Sequence, residues 1–91
     1  MLKISPSRQV EKFLRNAHPK HVKQLVRKIT DLRSNPRPQD IKKLANSSCL
    51  RVDSGEYRII YRINLAEVTL EIILVGKRND DEVYKNFQRL G

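Results

Sequence analysis

A chain of 91 residues with 19 Lys and Arg against 10 Asp and Glu carries a formal net charge of +9. Its single cysteine, Cys49, cannot close an internal disulfide, and no Cys/His cluster has zinc-ligand spacing. The positive field draws polyanions, nucleic acid first, although an acidic protein partner would answer it as well. A membrane surface fits less well, because the basic residues form no long helical stripe beside a bulky apolar face. No apolar run approaches the ~18 residues that span a bilayer, and the polar opening KISPSRQVEK lacks signal-peptide character. These features lead us to expect one domain over residues 1–91, cytoplasmic, without metal or cofactor.

Leu2–Ile4 alternates and is predicted to be an edge strand; Ser5-Pro6-Ser7 then starts a helix, with Pro tolerated in the first turn. Val10, Phe13, Leu14 and Ala17 fall at i, i+3, i+4 and i+7, one face of that helix. Pro19 interrupts, and Val22, Leu25, Val26, Ile29 and Leu32 mark a second helix whose other face carries Lys20, Lys23, Arg27, Lys28 and Arg33. The prolines of SNPRPQD end it, and IKKL is expected to add one more helical turn.

From Cys49 the apolar period changes from 3.6 to 2. With Ser54-Gly55 as a two-residue hairpin loop, Asp53 faces Glu56, Val52 faces Tyr57, Arg51 faces Arg58 and Leu50 faces Ile59. One side of this ribbon is apolar (Leu50, Val52, Tyr57, Ile59, Tyr61, Ile63) and awaits the helices; the other carries Cys49, Arg51, Asp53, Glu56, Arg58, Ile60 and Arg62. A turn at 64–67 leads to VTLEIILV. With Ile63 facing Val68, the residues Val68, Leu70, Ile72 and Leu74 join the core, and Thr69, Glu71, Ile73 and Val75 the open side. A short helix is expected to close the chain. The fold class is α+β: an N-terminal strand and helical hairpin packed on an antiparallel sheet, with a short C-terminal helix.

In this register Arg51 and Arg58 oppose each other, which reverses the ~0.2–1 kcal/mol of a good cross-strand pair. Diagonal ion pairs to Asp53 and Glu56 would offset it; so would an external phosphate held between the guanidiniums, whose planar forks suit bidentate contact. The sheet alone leaves both readings open. Lys77 and Arg78 add two cations beside the same face, and Tyr84 adds an aromatic able to stack or carry a proton. On so open a face, Arg58→Ala and Arg78→Ala are expected to change stability little.

LRVDSGEYRIIYRI followed by LEIILVGKRNDDEVYK resembles the RelE/ParE superfamily of toxins from bacterial toxin–antitoxin pairs, and the ending in EVY favours the RelE-like branch. The resemblance implies a metal-independent endoribonuclease that cuts mRNA on the ribosome, by attack of the 2′-OH on the adjacent phosphate. An acidic cognate antitoxin would neutralise it in a hetero-oligomeric complex. Arg58, Arg78 and Tyr84 match the catalytic positions, with Arg51, Arg62 and Lys77 as phosphate contacts. The family commonly places lysines or histidines just before the arginines; here those positions fall near Ser47 and Cys49. Cys49 would titrate only with a lowered pKa. His18 and His21 are expected to be surface residues between the helices, Lys42 and Lys43 to be solvated, and the general base stays unassigned. The rivals are a ParE-like inhibitor of DNA gyrase or topoisomerase that cleaves nothing, and a basic binding module.

Overall fold

Ser7 starts α1 (Arg8–Asn16) from extended backbone, its Oγ accepting the Val10 N–H at 3.2 Å. Such a cap satisfies one of the N–H groups that a helix start leaves without a partner. His18 does the same for α2 (Pro19–Ser34): its Nδ1 accepts from the Lys20 N–H at 3.1 Å, and Pro19 occupies the first turn, where no donor is needed. Val10 from α1 and Leu25, Ile29 and Leu32 from α2 are buried against the sheet. Val26, assigned to the same stripe by spacing, is exposed. The computed structural model describes residues 1–78 and Phe87; the predicted closing helix and Tyr84 lie outside the described residues.

The strands are β1 (Lys3–Pro6), β2 (Lys42–Lys43), β3 (Leu50–Ser54), β4 (Tyr57–Asn64) and β5 (Thr69–Lys77), in the order β1-β5-β4-β3-β2. The sheet is mixed rather than antiparallel, because β1 runs parallel to β5, from Lys3 beside Thr69 to Pro6 beside Ile72. IKKL is not a helical turn: Lys42 pairs with Arg51 and Lys43 with Leu50. Pro36 and Pro38 stop α2 from continuing, and the free edge of β3 takes up the next residues able to pair.

Besides a shift at the β4–β5 turn, where Ile63 faces Leu70 and not Val68, the register departs from the sequence reading in two places. The hairpin loop is Gly55-Glu56, one step later than predicted, so Ser54 pairs with Tyr57 and Asp53 with Arg58. Gly55 alone in this loop has positive φ (60°), the pattern of a turn with glycine at its first central position. Sliding the loop by one residue moves each pairing by two, so the faces are kept: Leu50, Val52, Tyr57, Ile59 and Tyr61 are all buried in the main core.

The second correction does change faces. The register passes from Tyr61 beside Ile72 to Ile60 beside Leu74, which leaves Ile73 as an extra residue, a β-bulge. Leu70 and Ile72 face the core as expected, but beyond the bulge Val75 joins them and Leu74 turns to the opposite side. There Leu74, Cys49 and Ile60 form a second small core with Leu44, Ile73 and Phe87 packed around it. Val68 is no core residue: it sits in the turn at φ 51°, costly for a β-branched side chain, and is 53% exposed. Past Pro6, where β1 ends, the backbone groups of β5 around the bulge are satisfied from the cap and first turn of α1. Ser7 N–H donates to the Ile72 carbonyl at 2.9 Å and Ser7 Oγ to the Ile73 carbonyl at 2.6 Å. The Gln9 amide then behaves as an added peptide group: Nε2 donates to the Val75 carbonyl at 3.0 Å, and Oε1 accepts the Val75 N–H at 3.1 Å.

Tyr61 is fully buried in the core and donates its hydroxyl to the Pro36 carbonyl at 2.6 Å, tying the proline turn to the sheet. Burial pushes its phenol up to about 12. Because the folded value lies above the unfolded one near ~10, this contribution is complete below ~10 and is lost as pH rises through about 12. Tyr61→Phe is expected to cost ~0.5–1.5 kcal/mol at neutral pH. It should also remove part of the alkaline loss of stability, read by urea unfolding at pH 7 and pH 11.

Candidate anion site on the sheet

Asp53 on β3 and Arg58 on β4 lie directly opposite each other, so the register brings a carboxylate, not a second guanidinium, to Arg58. Arg58 Nε donates to Asp53 Oδ1 at 2.9 Å and Nη2 to Oδ2 at 3.5 Å. Arg78, one residue past β5, brings Nη1 to within 3.6 Å of the same Oδ2. Its backbone N–H donates to the Glu56 carbonyl at 3.0 Å, which holds it beside the hairpin tip. Gly76, the register partner of Arg58, adds no side chain between them. The Arg58 side chain is 13% exposed, Asp53 37% and Arg78 53%, so the cluster runs from nearly covered to open.

The hydrogen bond from Arg58 holds the Asp53 carboxyl below its ordinary value against the opposing effect of burial, and the charges of Arg58, Arg78 and Arg51 add to it. Asp53 is therefore a carboxylate at neutral pH and a weak base. Arg51, two positions before Asp53, has Lys42 and Ile60 as its register partners. Lys42, Arg51, Arg58 and Arg78 thus form a cationic row across the sheet. Lys42 is the member that sequence reasoning missed, because a Lys-Lys pair after two prolines carries no strand periodicity.

The other predicted residues separate from this cluster. Arg62 sits further along β4, opposite Glu71, with Nε 2.7 Å from Oε1; that carboxylate raises the guanidinium's already high pKa. Lys77 is on the other side of the sheet, because the bulge reverses the alternation. It pairs with Tyr57 and lines a hollow of about 420 Å³ with Gln9, Lys12, Phe13, Asn16 and Ala17. Cys49, its side chain packed in the second core, is 5% exposed, which fits packing rather than reactivity. His18 is the cap of α2. His21 is more than a surface residue: Nδ1 lies 2.5 Å from the Tyr57 hydroxyl and Nε2 3.3 Å from Glu56 Oε1, tying α2 to the hairpin tip from the helix side. Among the described residues no group of His, Cys, Asp and Glu is placed to hold a metal ion, and no helix is long and apolar enough to cross a membrane.

A family model of the ParE toxin of type II toxin–antitoxin systems (parDE) matches residues 4–82. No curated protein matches the sequence significantly. Among solved structures, free Escherichia coli RelE carrying two arginine-to-alanine substitutions gives a TM-score of 0.81 at 22% identity, over 99% of this chain and 98% of that one. A chain of the intact E. coli RelBE toxin–antitoxin complex gives 0.76 at 21% identity, over 87% of this chain and 99% of that one. One from the archaeal RelE–RelB complex of Pyrococcus horikoshii gives 0.75 at 24%, over 87% and 97%. At these identities the likeness is one of fold.

The geometry changes what the arginine variants should do to stability. Arg58→Ala strips the carboxylate of its principal partner, and is expected to cost about 1–3 kcal/mol, toward the lower end because Asp53 is partly solvated. Arg78→Ala, at an exposed position, should stay within ~0.5 kcal/mol. With its folded pKa depressed, Asp53 contributes stability that is present above the unfolded carboxyl value of ~4 and is lost as pH falls through the folded one. Urea unfolding of both variants between pH 7 and pH 3 checks this, the acid limb being flatter for Arg58→Ala.

Proposed function

The chain belongs to the ParE toxin family of type II toxin–antitoxin systems, and from that premise we propose that it is an endoribonuclease of the RelE kind, cutting mRNA on the ribosome. The observation that carries the reading is the convergence of Arg58 and Arg78 on one anion position, with Arg51 and Lys42 extending the positive row. A phosphodiester backbone is the polyanion such a row fits.

In the proposed reaction the 2′-oxygen attacks the adjacent phosphorus, the P–O2′ bond forms, and the P–O5′ bond breaks. The products are a 2′,3′-cyclic phosphate and a 5′-hydroxyl. Negative charge grows on the non-bridging oxygens, and fixed guanidinium donors there stabilise the transition state more than the ground state. Arg58, held by its neighbours, is the pre-oriented donor; Arg78, more exposed, is the one that meets substrate first. Arg51 and Lys42 position the backbone. Tyr84 is proposed to stack on a base or to move a proton. Asp53 is ill suited to take the 2′-OH proton, since Arg58 stabilises its charged form.

An acidic antitoxin is the proposed partner, its negative segment covering the same cationic row; RelE is held with RelB in the E. coli and P. horikoshii complexes. One observation favours a second reading: the matching family model is that of ParE, which suits a non-catalytic inhibitor of a DNA topoisomerase.

Expression in a bacterial cell, with message ends mapped and plasmid supercoiling assayed together, separates the two. New message ends with supercoiling unchanged support the nuclease; altered supercoiling with intact messages overturns it. Arg78→Ala is expected to lower cleavage ~10²–10³-fold while the melting temperature holds. Tyr84→Phe keeps activity if the ring stacks and loses it if the hydroxyl moves a proton.

A further inference from the structure

We propose that Asp53 is a built-in counter-anion: it occupies the position of a substrate phosphate between Arg58 and Arg78, orients the two guanidiniums, and gives way when RNA binds. The inference rests on the nuclease reading for the identity of the anion, while the geometry of the cluster is independent of it. Asp53 Oδ1 takes Arg58 Nε, and Oδ2 faces both Arg58 Nη2 and Arg78 Nη1. Two oxygens thus meet two guanidiniums from separate segments, the arrangement in which two non-bridging phosphate oxygens are gripped. Donors committed to Asp53 cannot serve a phosphate in full at the same time, so the carboxylate competes with the substrate. While it is in place, it keeps Arg58 and Arg78 from being spread by their own repulsion. Asp53 is therefore a positioning residue whose removal should tighten substrate binding and slow turnover.

The same face supplies a control. Glu71 is also a carboxylate paired with an arginine, Arg62, at 2.7 Å, but among the described residues no second cation reaches it. Asp53→Asn and Glu71→Gln remove the same charge from the same face, one inside the cluster and one outside it.

The test measures binding of an oligoribonucleotide made uncleavable by a 2′-O-methyl group at each position, by fluorescence anisotropy, for the full chain and both variants. Melting curves check that each is folded. Asp53→Asn is expected to bind about tenfold more tightly at low salt, the scale of a partly exposed charge contact near 4 Å. Glu71→Gln should bind like the parent. With cleavable RNA, Asp53→Asn should lower KM and kcat together, a split that loss of structure alone does not produce. The proposal is overturned if Asp53→Asn binds no more tightly, if Glu71→Gln tightens binding equally, or if kcat is unchanged. Should the parent chain bind no RNA, the nuclease reading fails, and inorganic sulfate titrated against the Arg58 Nε–H resonance decides the counter-anion by itself. Saturation at lower sulfate in Asp53→Asn supports it, and identical titrations overturn it.

Discussion

One extra residue in β5 governs which side chains of the last strand meet the helices and which meet the arginines. Ile73 has no partner on β4, and past it the alternation reverses. Val75 goes to the main core, Leu74 to the small one, and Lys77 to the helix side. Without the bulge, Lys77 would share a face with Arg58 and the residue after it would not. Past Pro6, where β1 ends, the backbone groups of β5 around the bulge still need partners on that edge. Here Ser7 and Gln9, in the cap and first turn of α1, supply them within 3.1 Å. The start of the first helix and the position of Arg78 are thus one structural problem with one solution.

The faces of β3 and β4 were legible because period-2 alternation survives any register shift of two. Leu50, Val52, Tyr57, Ile59 and Tyr61 fall on the expected face although the loop lies one residue later, while Glu56, expected beside Asp53 on the open side, has its carboxylate against His21 on the helix side. The loop itself was not legible: a Ser-Gly-Glu run admits glycine in either central position, and only the settled turn selects the first. The bulge was hidden by composition, since in IILV every residue is apolar and either alternation reads equally well. β2 was hidden for the opposite reason, having two lysines and no apolar period. The candidate site suffered directly from the loop. Placing Arg51 directly against Arg58 overstates their repulsion, and conceals Asp53 as the residue that Arg58 faces.

Long-range and local electrostatics differ in sign here. The net charge of +9 describes the approach of a polyanion from a distance. At the sheet, each of the well-placed arginines is already matched: Arg58 and Arg78 with Asp53, Arg62 with Glu71. The exposed pairs among these add little to stability by themselves. Their effect is on geometry, since a guanidinium held on a carboxylate keeps one orientation among many.

The parallel pairing of β1 with β5 bears on how the molecule is made. The Ser7 and Gln9 bonds to β5 each span 66 positions of sequence. Strand pairings so distant form slowly, because the loop must close before the contacts reward it. On a nascent chain emerging at ~5–20 residues per second, the β3–β4 hairpin can pair early, with Asp53 already opposite Arg58. β1 has no strand to lie against until β5 has left the exit tunnel, and Arg78 follows later still. The helices and the hairpin are therefore synthesised as an unfinished body, and the cationic row is completed only as the last strand slots between two that were made before it.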